Sequence, residues 1–172
     1  MIVCGIDPSL SQTAVVLGSG PQDFKVFNFT SKPLGASPGA RVARYDDLVA
    51  RIMATISEHR PERIFIEGYA FGAKMAREVL GEFGGILRWH LVEIDPLLTE
   101  VSPMGLKKFV TGKGAGQKDQ MMLGVYRNWG YEPRGNDDAD AYGLWRLGRC
   151  VCGLDEPSNQ AQREVVQKVK GD

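Results

Sequence analysis

Three short stretches put acids where a charge is hard to keep. GIDPSL ends an apolar run at Asp7, RIFIEG ends a second at Glu67, and NDDADAYGLW opens a helical pattern with Asp137 and Asp140 three apart on one face. Each has an ordinary explanation when taken alone. Asp7 could hold a turn, and Asn136, Asp137 or Asp138 could cap a helix whose first turn favours acids. Glu67 is harder to dismiss, because a glutamate closing an apolar strand risks burying an unpaired charge. If the two strands lie side by side and parallel, Asp7 and Glu67 end at one sheet edge with the helix of Asp137 and Asp140 crossing over them. Carboxylates that close repel unless cations intervene. Hard divalent ions such as Mg²⁺ take carboxylate oxygens and water, and a pair about 3.5–4 Å apart can activate a water and stabilise the leaving oxygen of a phosphodiester.

The surrounding pattern supplies elements able to hold the acids so. Residues 1–6, 13–17 and 24–29 read as strands of an antiparallel meander, with Pro8, Ser9 and Ser11 in the first turn. Apolar residues spaced three and four apart over 41–59 predict an amphipathic helix that Pro61 stops. Strands at 63–67 and 97–101 follow, with helices at 72–90, 104–110, 118–129 and 137–151. This order predicts an α/β fold, a mixed five-stranded sheet flanked by helices. One domain over residues 1–152 is expected, with 153–172 a polar tail, frayed or helical.

A chain of 172 residues with 43% apolar content can build one substantial core. Its 21 basic and 21 acidic residues cancel, which excludes binding of a polyanion by bulk charge. Local clustering must serve instead. Between Ser102 and Arg134 stand Lys107, Lys108, Lys113, Lys118, Arg127 and Arg134 against Asp119 and Glu132 alone. Three cysteines without a CxxC pair or histidine cluster argue against a disulfide framework or zinc site. No stretch nears the roughly 18 apolar residues of a membrane span, and no signal-peptide pattern opens the chain. A cytoplasmic location is expected.

GIDPSLSQTAVVL, IFIEGYAFG, VSPMGLKKFVTGKGAGQKDQ and DDADAYGLW, in this order and spacing, resemble the motif regions of RuvC-type Holliday-junction resolvases. The resemblance covers roughly residues 1–150. It implies an RNase H-like fold, a homodimer, and Mg²⁺-dependent nicking of opposed strands of a four-way DNA junction, with Mn²⁺ as a substitute and two ions per site. Asp7 matches the family's acid on the first strand, Glu67 its glutamate, and Asp137 and Asp140 its closing D-x-x-D pair, with Asp138 a rival for Asp137. Lys107, Lys108 and Lys118 match its basic residues, Lys118 being the candidate to offset charge in the reaction. Two departures point to a diverged, phage-encoded member. Asp7-Pro8-Ser9 replaces D-P-G, and Ala70 stands where an aromatic is common, flanked by Tyr69 and Phe71.

The expected DNA contacts are Tyr69 and Phe71 by stacking, and Lys74, Lys107, Lys108, Lys113 and Lys118 by phosphate neutralisation. The helix at 72–90, with Gly81, Gly84 and Gly85, is the candidate dimer interface; Trp129, Trp145 and Trp89 are assigned to core or interface. Other readings stay open. The same fold could cut branched DNA or an RNA/DNA hybrid, or bind junctions without cutting them. An actin-like ATP-binding domain would need a second phosphate-binding hairpin and a longer chain, and neither is found. A branch-migration partner is left unassigned.

Overall fold

A computed structural model describes residues 1–69, 77–95, 97–114 and 119–171. Five strands form one mixed sheet: β1 (Val3–Asp7), β2 (Gln12–Gly20), β3 (Asp23–Thr30), β4 (Arg63–Glu67) and β5 (Thr99–Val101). Their order is β3-β2-β1-β4-β5, so β1 lies at the centre. The antiparallel meander β1-β2-β3 matches expectation, and β4 and β5 join parallel to β1. Parallel neighbours require crossover connections, and the described crossover helix between β1 and β4 is α1 (Pro38–His59). Ser37 caps α1 by accepting from the Ala40 N–H at 3.2 Å, and Pro38 stands where its missing N–H leaves no bond unmade.

The sheet separates two apolar layers. Cys4, Ile6, Val15, Leu17, Ile64 and Ile66 point to one side, against α1 and α2 (Arg77–Ile94). Val3, Ala14, Val16 and Phe65 point to the other, against α3 (Pro103–Thr111), α4 (Asp119–Trp129), α5 (Asn136–Val151) and α6 (Gln160–Gly171). Because strand side chains alternate, Asp7 and Glu67 share the α5 side with Val3 and Phe65. A slip of one residue in either strand would turn its acid to the opposite layer.

Helix α5 packs directly on β1 because Gly5 has no side chain. A Cβ there would stand 2.4 Å from both the Ala141 carbonyl oxygen and the Trp145 nitrogen. Gly148 does the same over Phe65, where a Cβ would come within 2.4 Å of the ring. Trp145, fully buried, donates its indole N–H to the Gly18 carbonyl at 3.3 Å and so ties α5 to β2 as well. Residues 160–171, expected within a polar tail, form a helix whose Val165 and Val166 are buried in the α5-side core. Trp129 packs at the margin of that core, stacked on Phe109, whereas Trp89 lies 72% exposed on α2. No helix among the described residues is long and apolar enough to cross a membrane.

Candidate active site

The β1 and β4 registers pair Ile6 with Ile66, so the next residues, Asp7 and Glu67, stand side by side at the ends of neighbouring strands. Helix α5 brings Asp140 to the same place. One carboxylate oxygen from each of Asp7, Glu67 and Asp140 lies within 4.8 Å of the other two. Asp137, one turn earlier on α5, is close enough for its charge to act on both Asp7 and Glu67.

Burial pushes the Asp7 carboxyl well above the usual carboxylate range, and the charges of Glu67, Asp140 and Asp137 push it further. Burial likewise raises Glu67, opposed by a hydrogen bond from Asp7 and by the positive charge of Lys107. Both directions describe acids that hold a proton between them when nothing else neutralises them. Other acids with little exposure are managed differently. Asp95 accepts from the Ile64 N–H at 2.8 Å and the Leu97 N–H at 2.9 Å and pairs with Arg63. Asp155 lies between Arg146 and Arg149. Asp7 and Glu67 instead face further carboxylates, and a hard divalent cation is the partner that fits such an oxygen donor set.

A stability prediction follows from these directions. A carboxyl whose value is raised on folding favours the folded state below the unfolded chain's value, about 4 for aspartate, and loses that contribution as pH rises through the raised value. In EDTA the protein should therefore lose stability as pH rises above about 4. Asp7→Asn removes the penalty and should melt higher than wild type at pH 7.5 in EDTA, by roughly 3–6 °C, the shift that about 1–2 kcal/mol produces in a domain of this size. The gap should close toward pH 4 and on adding Mg²⁺ to wild type. A lower melting temperature for Asp7→Asn at pH 7.5 would refute the assignment of strain to this cluster.

The turn that follows Asp7 is built from hydroxyls. Thr13 donates Oγ1–H to the Ser9 carbonyl at 2.7 Å, and Ser9 and Ser11 share a hydroxyl bond at 3.0 Å. Arg44 of α1 donates to the Leu10 and Ser31 carbonyls at 2.8 and 3.1 Å, clamping that turn to the loop after β3. Ser9, the departure from D-P-G, thus takes part in holding the strand end that carries Asp7.

Asp138 is not among the three acids whose oxygens meet within 4.8 Å. It is fully buried, and its Oδ2 accepts the Arg134 N–H at 3.2 Å, which fastens the approach to α5. Of the lysines, Lys107 lies near enough to act on Glu67, while the Lys108 ammonium bonds Glu164 of α6 at 2.6 Å. Lys113 is exposed in the turn after α3, its N–H and carbonyl both bonded to the Thr111 hydroxyl. Tyr69 is 37% exposed and lies on the Arg88 guanidinium, 4.3 Å from ring centroid to Cζ. Phe71, Lys74 and Lys118 lie outside the described residues. Sequence reading missed Gly5, although a glycine inside an apolar strand signals close backbone approach. It also missed Arg88, for which spacing offered no signal.

Residues 3–144 match the family described as crossover junction endodeoxyribonuclease RuvC. The chain is 30% identical over 174 residues to the protein of that name from Anaeromyxobacter sp., covering 99% of this chain and 79% of the relative. It is 26% identical over 176 residues to the one from Chlorobium phaeovibrioides, covering 99% and 90%. The fold is similar to that of Thermus thermophilus RuvC, solved in complex with a Holliday junction substrate, at a TM-score of 0.70 and 20% identity, covering 91% of this chain and 99% of that one.

Proposed function

The chain belongs to the RuvC family of crossover junction endodeoxyribonucleases, and from that premise we propose that it resolves four-way DNA junctions by metal-dependent hydrolysis of phosphodiesters in opposed strands. The observation that carries this reading is the meeting of Asp7, Glu67 and Asp140 within 4.8 Å at the open end of two parallel strands. These three, with Asp137 beside them, are the residues that would hold the metal. Mg²⁺ is the proposed cofactor, two ions per site, with Mn²⁺ able to replace it. Such ions, when bound, supply an activated water and charge stabilisation for the departing oxygen.

The chain's own residues do the rest. Paired strands fix the backbones of Asp7 and Glu67 side by side, so much of the donor set is organised before substrate arrives. Glu67 and Asp140 are only partly buried, so the acids are open to a polymer passing over the sheet edge. Water adds to phosphorus as the bond to the 3′ oxygen breaks, leaving a 3′ hydroxyl and a 5′ phosphate. Lys107, already within electrostatic range of Glu67, offsets charge near the scissile phosphate, and Lys118 is assigned the same work by resemblance. Tyr69, Phe71, Lys74, Lys108 and Lys113 complete the proposed DNA surface, with Lys108 exchanging Glu164 for a phosphate.

A four-way junction has two-fold symmetry, and an isologous dimer presents two such sites to it. Helix α2 is the proposed interface. Gly81, Gly85 and Trp89 recur every fourth residue on it, Trp89 is 72% and Val92 47% exposed, and a Cβ at Gly81 or Gly85 would meet nothing within 4 Å. Cytoplasmic action on chromosomal or infecting DNA follows from the substrate.

The test is cleavage of a labelled four-way junction, a matched duplex and a matched RNA/DNA hybrid in Mg²⁺ or EDTA, with sedimentation at micromolar concentration. Paired symmetric nicks in the junction alone, abolished by EDTA, and a dimeric mass are expected. Cleavage of the hybrid alone would reassign the substrate, and tight junction binding without nicking in any metal would make the chain a binding module.

A further inference from the structure

Resting on the junction-cleaving reading above, we propose that Arg88 is a positioning residue that sets Glu67 and Tyr69 together from helix α2. The main chain leaves the sheet after Glu67, so the Glu67 carbonyl needs a partner beyond the strand ladder. Arg88 Nη2 donates to that carbonyl at 2.9 Å, Nη1 to the Gly84 carbonyl at 3.1 Å, and Nε to the Glu100 carboxylate of β5 at 2.8 Å. The Tyr69 ring then lies over the guanidinium. With its side chain 16% exposed, this arginine spends its fork inside the protein.

Each neighbour is shaped for the arrangement. Gly84 leaves the room, since a Cβ there would stand 2.7 Å from the Tyr69 hydroxyl and 2.9 Å from Arg88 Nη1. Gly68 permits Glu100 to lie close, a Cβ coming within 2.9 Å of its Oε1, and donates its N–H to the Val101 carbonyl at 2.8 Å. The peptide that follows a strand-end glutamate determines where its side chain can reach. Fixing that peptide by a charge-assisted bond removes a degree of freedom from the Glu67 carboxylate, and the same cation holds the aromatic two residues on. A planar fork serves three acceptors and a ring at once, which an ammonium cannot.

The experiment compares wild type, Arg88→Ala and Arg88→Lys by single-turnover junction cleavage in Mg²⁺, junction affinity in Ca²⁺, Mn²⁺ binding by calorimetry without DNA, and melting temperature. Arg88→Ala should slow cleavage roughly 10–100-fold and weaken Mn²⁺ binding several-fold, the range seen when the group orienting a ligand is lost. Arg88→Lys keeps a cation over Tyr69 and should restore junction affinity while leaving the cleavage rate and Mn²⁺ affinity impaired. The proposal is overturned if either folded variant binds Mn²⁺ and cleaves within about twofold of wild type, or if the losses disappear on correction for folded fraction. Should Arg88→Ala not fold, Arg88→Lys decides by the same criteria. Failure of wild type to cut junctions would sink the functional reading, while the Mn²⁺ measurement would still judge Arg88.

Discussion

Glu67→Gln is expected to lower the junction cleavage rate by at least roughly 10³-fold, equivalent to about 4 kcal/mol of lost transition-state stabilisation. Affinity for the junction in Ca²⁺ should stay within a few-fold. The amide keeps the side chain's volume and can still bond Asp7, so packing at the end of β4 is preserved. What disappears is one negative oxygen from a three-carboxylate donor set whose members lie within 4.8 Å of one another. Burial and the neighbouring acids already make these carboxylates hard to ionise, so a neutral member shifts the site decisively against a divalent cation. The same change relieves repulsion, and melting temperature in EDTA should rise. Loss of activity joined to a gain in stability separates a chemical role from a structural one. Cleavage within tenfold of wild type in Mg²⁺ would remove Glu67 from the metal-binding set.

Gly5→Ala is the second large effect, and it acts from beneath the site. The added methyl would stand 2.4 Å from the Ala141 oxygen and 2.4 Å from the Trp145 nitrogen. Both are backbone atoms of α5, so no side chain can rotate aside and the helix itself must lift. Overpacking of this kind costs about 1–3 kcal/mol and occasionally more, and with two backbone contacts this tight about 3 kcal/mol is expected. Asp140 immediately precedes Ala141, so it moves away from Asp7 and Glu67 with the helix. Displacements near 1 Å can cost about 10²-fold in rate, which is the loss expected in the protein that remains folded. Thermal melting and single-turnover cleavage at low temperature measure the two parts. Gly39→Ala in the first turn of α1, where a Cβ meets nothing within 4 Å, is the control and should leave both nearly unchanged. A Gly5→Ala protein that melts and cleaves like wild type would mean that α5 does not depend on this contact to reach the strand.

Much of the frame was legible because it depends on local pattern. The alternation in FKVFNF, the three-and-four spacing across α1, and the short apolar runs closed by Asp7 and Glu67 are properties of neighbouring residues, and each returned as the expected element. Parallel pairing of β1 and β4 was also within reach, since a helix stands between them in sequence and crossover connections follow few paths. Helix α6 was harder. Its composition is polar, and its buried face consists of Val165 and Val166 with Val169 packed beside them and the polar Gln162, too few apolar residues to mark a core helix in sequence.

The roles of single residues were less accessible. Asp137 and Asp138 are adjacent and chemically identical, yet roughly 100° of helical rotation turns one toward Asp7 and Glu67 and buries the other against the Arg134 N–H. Lys107 and Lys108 divide in the same way, one toward Glu67 and one to Glu164. Arg88 reaches Glu67 and Glu100 across separations of 21 and 12 residues, and Gly5 meets α5 more than 130 residues later. Strand ends, helix faces and the presence of too many acids for an ordinary core were therefore determined by the chain itself, through side-chain chemistry acting over a few residues. Which acid joins the cluster, which lysine faces it and which arginine holds it were decided only when distant segments packed, because those outcomes depend on rotations and separations of a few ångströms that no local pattern encodes.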